Sequence, residues 1–172
     1  MGPAATLPRV IIAGLSGDAG KTVVSLSLLL AARGRGLPVR AFKKGPDYID
    51  AAWLAWASRQ PARNLDSFLM GFEGAVGSFR RHAVTEGLNL IEGNRGLYDG
   101  VDAQGTHSTA ELAKALEAPV ILVVNATKLT RTAAALVLGC QKLDPAVRIA
   151  GVILNQVGGV RHERVVREAV ES

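Results

Sequence analysis

The chain has 172 residues, 20 Lys plus Arg against 15 Asp plus Glu, and a formal charge of +5. That length suits one domain, residues 1–172, and 48% hydrophobic residues with a mean hydropathy of +0.21 exclude disorder for the bulk of the chain. No apolar run approaches the roughly 20 residues of a membrane span, a single cysteine excludes a disulfide scaffold and suits a reducing cytoplasm, and scattered arginines with only 5% aromatic residues argue against a nucleic-acid stripe.

The tail Met1 to Pro8 precedes a β-branched run, Val10 to Ala13, which reads as a strand. A helix follows over 22–34, then a strand from Val39 to Phe42 and a helix over about 50–59. The glycines between Gly71 and Gly77 suggest a turn. Leu88 to Ile91 reads as a strand, Ser108 to Glu117 as a helix, Val120 to Val124 as a strand and Thr130 to Leu143 as a helix. Ile149 to Leu154 is the last strand, followed by a charged helix to Ser172. Unbroken Val/Ile/Leu runs joined by helices predict an α/β fold: a mostly parallel sheet with helices on both faces and right-handed crossovers.

Gly14-Leu15-Ser16-Gly17-Asp18-Ala19-Gly20-Lys21-Thr22 lies between the first strand and the first helix, the setting of a phosphate loop. Glycines let successive N–H groups turn toward an anion, the helix N-terminus adds partial positive charge, Lys21 can reach phosphate, and the Thr22 hydroxyl can hold Mg²⁺. Five residues separate Gly14 from Gly20, one more than the strict motif allows. The sheet is therefore expected to be of the P-loop NTPase type. Glu92 ends the predicted strand Leu88 to Ile91 and opens Glu92-Gly93-Asn94-Arg95-Gly96-Leu97-Tyr98-Asp99-Gly100. Carboxyl ends of parallel strands line one crevice, so Glu92 is a natural second metal ligand. Lys43-Lys44-Gly45-Pro46-Asp47-Tyr48-Ile49-Asp50 ends another strand and reads either as part of that crevice or as a surface cluster pairing within itself. Cys140 sits among apolar residues as a core thiol. His82, His107 and His162 lack metal-ligand spacing, although His107 follows the glycine-rich loop closely enough to touch a substrate.

Together these blocks resemble the ATP-binding half of the cobyrinic acid a,c-diamide synthase family, within the dethiobiotin-synthetase-like P-loop group. The resemblance runs from Pro8 to Glu171 and is carried by the phosphate loop with its extra residue, Lys44-Gly45-Pro46-Asp47-Tyr48-Ile49-Asp50, Arg63-Asn64-Leu65-Asp66, Glu92-Gly93, Gly96 to Gly100, Ser108 to Ala113, Ala118 to Val124, Gly151 to Asn155 and Arg161-His162. It implies ATP-dependent amidation of side-chain carboxylates on a tetrapyrrole-derived polycarboxylate, through an acyl phosphate that ammonia displaces. It also implies ATP and Mg²⁺ as cofactors and a nucleotide site formed by Gly17, Asp18, Ala19, Gly20, Lys21, Thr22 and Val23, with Asn155 reading adenine. Thr22, Asp47 and Glu92 would surround the metal, Lys21, Asp47, Glu92 and Asp99 would form the catalytic set, and Tyr48 and Asp50 would meet substrate.

Family members usually continue into a glutaminase domain, which this chain lacks, so the nitrogen is expected from such a domain elsewhere or from free ammonia; a homodimer is a candidate assembly. Ala51-Ala52-Trp53-Leu54 and Asn94-Arg95 depart from the family pattern on the substrate side, which nominates Arg95 as a substrate residue. The loop wording is also close to variants that amidate sirohydrochlorin or siroheme. A partitioning-type ATPase switch is the competing reading from another class, disfavoured because such proteins usually carry a second lysine where this chain has Leu15-Ser16.

Overall fold

The computed structural model describes residues 7–172, and Met1 to Thr6 of the expected tail lie outside them. Six strands form one parallel sheet: β1 (Arg9–Gly14), β2 (Val39–Lys44), β3 (Arg63–Leu65), β4 (Leu88–Glu92), β5 (Val120–Asn125) and β6 (Ile149–Asn155), in the order β3-β2-β4-β1-β5-β6. Five α-helices connect them, α1 (Lys21–Gly34), α2 (Tyr48–Ser58), α3 (Ser67–His82), α4 (Thr109–Ala115) and α5 (Arg131–Leu143), and a sixth, α6 (Val160–Glu171), follows β6.

Alternation along each strand sends side chains to two separate cores. Ile12, Ala41, Leu90 and Val123 pack with Leu29 of α1 and Leu54 of α2 on one face. Ile11, Phe42, Ile91 and Leu122 pack with Phe79 of α3, Leu112 of α4, Val137 of α5 and Val166 of α6 on the other. β1 is central and its residues Ile11 to Gly14 are buried, whereas β6 closes one edge and is only half-buried.

The expected turn at Gly71 to Gly77 is instead the middle of α3, which is interrupted only at Gly71 (φ 69°, ψ 166°). Phe72, Ala75, Val76 and Phe79 recur at helical spacing, and Phe79 meets Phe42 with ring centroids 5.1 Å apart. Burial of that stripe outweighs the roughly 1 kcal/mol that each helical glycine costs relative to alanine. The short strand β3 was not anticipated. Its three residues are too few to carry a periodic signal, and it forms because β2 offers it a free edge.

Side-chain caps start three of the helices. Asp47 accepts from the amides of Ile49 and Asp50 at α2, Asp66 from Phe68 and Leu69 at α3, and Ser108 from Glu111 at α4. The helix α1 differs, because it begins at Gly20, which has no side chain to cap it, so its first N–H groups remain directed at the loop after β1.

Candidate functional site

The loop after β1 makes a single 3₁₀ turn over Gly17–Ala19 before Gly20 enters α1 with φ 94°. An L-residue at that φ would be strained, and a Cβ on Gly20 would collide with the Asn155 amide. Asn155 braces this turn from the end of β6: its Nδ2 donates to Ala19 O (3.0 Å), while its Oδ1 accepts from Gln156 N (3.0 Å). Both polar atoms expected to read adenine are thus engaged within the protein. Lys21 is buried and its Nζ donates to Ser16 O (2.7 Å) and Gly17 O (3.2 Å), folding over its own loop. Burial first and the nearby Lys43 charge second depress the Lys21 pKa. An anion beside it would relieve both effects. Asp18 and Val23 are exposed on the outer side of the loop and on the first turn of α1.

Strand register builds the centre of the site. Lys43 of β2 pairs with Glu92 of β4, and Glu92 in turn pairs with Ile12 of β1, so both charged side chains project on the α1/α2 face. The first turns of those two helices supply Thr22 and Asp50. Thr22 Oγ1 donates to Glu92 Oε1 (2.9 Å), and Lys43 Nζ donates to Glu92 Oε1 (2.8 Å), Asp50 Oδ2 (2.6 Å) and Gly93 O (3.2 Å). Glu92 is fully buried and Lys43 is 2% exposed. Burial opposes the Lys43 charge, yet Glu92 and Asp50 outweigh it and raise its pKa above the ordinary lysine value. Burial likewise opposes the Asp50 carboxylate, but the Lys43 hydrogen bond and charge hold its pKa below the usual range. Glu92 Oε2 is buried without a hydrogen-bond partner among the described residues. An anionic oxygen in that condition calls for a cation or donor that the chain does not supply.

Thr22, Lys43, Asp50 and Glu92 therefore form one cluster next to the Lys21 loop. Lys43 does pair with Asp50 of its own block, as the surface-cluster alternative has it, but β-strand alternation carries the pair inward onto Glu92 rather than leaving it at the surface. Lys43 is also the principal site residue that the sequence reading left out, and the signal was available: it shares the face of Ala41, two residues earlier. Asp47 is held apart as the cap of α2, with Oδ1 engaged by two amides. Tyr48 is 79% exposed at the start of the same helix.

The loop after β4 is pinned at several points. Gly93 N donates to Ile12 O (2.8 Å), Leu97 N to Gly14 O (2.7 Å), Asn94 N to Thr109 Oγ1 (3.2 Å) and Gly96 N to Asp99 Oδ2 (2.8 Å). Asp99 is exposed and borders a cavity of about 620 Å³ together with Lys44, Arg95 and His107. Cys140 is half-buried, with burial raising its thiol pKa, and its carbonyl accepts from Tyr98 Oη (2.6 Å). Among the described residues nothing beside it activates a nucleophile.

Residues 10–172 match the family described as CbiA: CobQ/CobB/MinD/ParA nucleotide binding domain. The chain belongs to this family. It is 46% identical over 165 residues to a cobyrinate a,c-diamide synthase of Dehalococcoides mccartyi, covering 95% of this chain and 36% of the relative. It is 47% identical over 167 residues to a hydrogenobyrinate a,c-diamide synthase of Streptomyces coelicolor, covering 96% and 34%. The chain thus spans about a third of the length of these relatives. Among solved structures, the cell division protein FtsY of Thermotoga maritima superposes with a TM-score of 0.61 at 15% identity, over 98% of this chain and 60% of that one, a likeness of fold. The expected P-loop NTPase-like parallel sheet is thereby borne out, and the chain is a nucleotide-binding domain. Among the described residues no helix is long and apolar enough to cross a membrane.

Proposed function

We propose that this chain is the ATP-using part of an enzyme that amidates side-chain carboxylates on a cobyrinate-like tetrapyrrole. The observation that carries the reading is the 46–47% identity to a,c-diamide synthases over nearly the whole chain. A substrate carboxylate attacks the γ-phosphorus of ATP and releases ADP; ammonia then adds to the acyl carbon, phosphate leaves with the bonding pair, and the amide loses its extra proton to solvent. An ionised carboxylate is a poor electrophile, so phosphorylation supplies the leaving group, and the protein's part is positioning and offsetting charge.

Lys21 and the first amides of α1 bind the phosphates, and Lys43 pairs with the buried Glu92 carboxyl group. The orphaned Glu92 Oε2 beside the Thr22 hydroxyl fits a hard cation. Among the described residues no group of three or more His, Cys, Asp or Glu is arranged to bind a metal, so Mg²⁺ would rest on Thr22, Glu92 and phosphate oxygens, where it would neutralise phosphoryl charge. Asp47 would join it only by giving up its cap on α2. Arg95 and Asp99 border the cavity of about 620 Å³ on the substrate side, and Tyr48 and Asp50 would meet substrate from the start of α2. Nitrogen comes from free ammonia or from a glutaminase domain, and a homodimer is the candidate assembly.

Sirohydrochlorin or siroheme amidation would use the same chemistry, but the identified relatives act, by name, on cobyrinate and hydrogenobyrinate. A partitioning-type switch shares the family but lacks support from those relatives. The test is mass spectrometry of cobyrinic acid incubated with ATP, Mg²⁺ and ammonium, looking for the small mass decrease that accompanies each carboxyl-to-amide conversion. Glu92→Gln should retain most nucleotide affinity and lose product formation. Absence of amide from the wild-type chain, or undiminished product from Glu92→Gln, would overturn the assignment.

A further inference from the structure

The two adjacent lysines at the end of β2 go to opposite faces of the sheet. Lys43 follows Ala41 toward α1 and α2, while Lys44 follows Phe42 toward α3 and borders the cavity of about 620 Å³. Arg95 and Asp99 from the loop after β4, Phe68 and Leu69 from the start of α3, and His107 line the same cavity.

Its charges are not equally engaged. Asp66, which also faces the cavity, has Oδ1 committed to the amides of Phe68 and Leu69, and Asp99 Oδ2 receives Gly96 N. Neither Lys44 nor Arg95 makes a salt bridge or side-chain hydrogen bond among the described residues. Lys44 is half-buried, and burial first, then Arg95, depress its pKa against the opposing pull of Asp66. An anion between the two cations would relieve both effects.

The Arg95 side chain is exposed, but its backbone is fixed rather than loose. It has φ 50°, left-handed for a non-glycine residue, and its neighbours on both sides are tied down: Asn94 to Thr109, Gly96 to Asp99 and Leu97 to Gly14. Such strain persists only where surrounding structure over-determines it, and it collects at ligand-binding positions. Beside the cations lies an apolar shelf. Phe68 and Leu69 are 63% and 72% exposed, and the His107 ring stacks on Phe72 (centroids 5.3 Å apart, interplanar angle 10°) and meets Phe68 edge-on (5.6 Å, 88°). Exposed apolar area flanked by unpaired cations is complementary to a flat apolar ring carrying carboxylates at its rim.

We propose that this cavity seats the polycarboxylate macrocycle, with Lys44 and Arg95 together gripping a rim carboxylate other than the one being activated, and with Phe68 and Leu69 supporting the ring. The clamp rests on the amidation reading above and adds Lys44 and the aromatic shelf as specificity determinants. Position supports the division: Asn155 braces the Lys21 loop from the end of β6, whereas the cavity lies at the ends of β2 and β4 on the α3 side of the sheet.

The test is equilibrium dialysis of cobyrinic acid, followed by its visible absorbance, against the full chain and its Lys44→Met, Arg95→Met and doubly substituted variants, with no ATP present. The double variant should bind at least about tenfold more weakly at about 20 mM salt, and the difference should shrink at about 0.5 M, where screening falls within contact range. Lys44→Arg should recover part of the loss, and the heptamethyl ester of the same ring should bind wild type and double variant alike. ATP affinity by calorimetry and the urea midpoint, both near wild type, establish that the double variant is folded. Equal cobyrinic acid binding by wild type and double variant overturns the clamp, and the amidation reading stands or falls separately on amide formation by wild type. Failure of the wild type to bind cobyrinic acid at all also overturns the clamp.

Discussion

Replacing Lys43 with methionine keeps an unbranched side chain one atom shorter and deletes its charge. The perturbation leaves Glu92, fully buried, with only the Thr22 hydroxyl on Oε1 and nothing on Oε2, and removes the charge that faces Asp50. Breaking a buried ion pair from one side costs about 3–5 kcal/mol, because the orphaned charge stays desolvated. Asp50 adds less, since its side chain is 26% exposed and water screens it. The expected loss is therefore about 3–5 kcal/mol, or roughly 6–20 °C in melting temperature at about 2–4 °C per kcal/mol for a chain of this size. Urea unfolding followed by far-ultraviolet circular dichroism measures it as a lower midpoint at unchanged slope. Adding Glu92→Gln to Lys43→Met should restore part of the loss, since no buried carboxylate then remains without its cation. A Lys43→Met midpoint corresponding to less than about 1 kcal/mol, or a double variant less stable than Lys43→Met alone, would show that the Lys43–Glu92 pair does not carry the energy assigned to it.

Lys21→Ala should weaken ATP binding at least about tenfold, the scale of one charge-assisted phosphate contact; equal calorimetric affinities for variant and wild type would refute the phosphate-loop role. Gly20→Ala should cost about 1–3 kcal/mol from its φ alone, with a further steric penalty that Asn155→Ala relieves, so the double variant should melt above Gly20→Ala. The Asp50 pKa is depressed in the fold, so its contribution to stability is present above the unfolded carboxylate range and is lost as pH falls below about 4. The Lys43 pKa is raised, so its contribution persists through neutrality and is lost only as pH climbs past about 10.4. The urea midpoint of wild type should accordingly exceed that of Asp50→Asn at pH 7, and the gap should narrow as pH falls below about 4; a gap that does not narrow on acidification would contradict the pairing.

Much of this architecture was legible along the chain. Val10 to Ala13, Val120 to Val124 and Ile149 to Leu154 declare strands buried on both faces, because only a parallel sheet covered by helices can hide unbroken β-branched runs. Gly20-Lys21-Thr22 between such a strand and a helix declares a phosphate loop from local geometry alone. What the chain could not declare depends on neighbours distant in sequence. The helix through Gly71 to Gly77 is stabilised by Phe79 on Phe42, a contact that local propensity does not contain. Lys43 and Lys44 look equivalent in a row of charges until the β2–β4 register sets one against Glu92 and turns the other to the cavity. Asp47 and Asp50 look interchangeable until the start of α2 takes Asp47 as its cap and leaves Asp50 to Lys43. Composition and periodicity determined the layers, since these follow from burying apolar area. The tertiary structure alone decided which charge meets which, because that depends on register and on the first turns of helices brought together from separate parts of the chain.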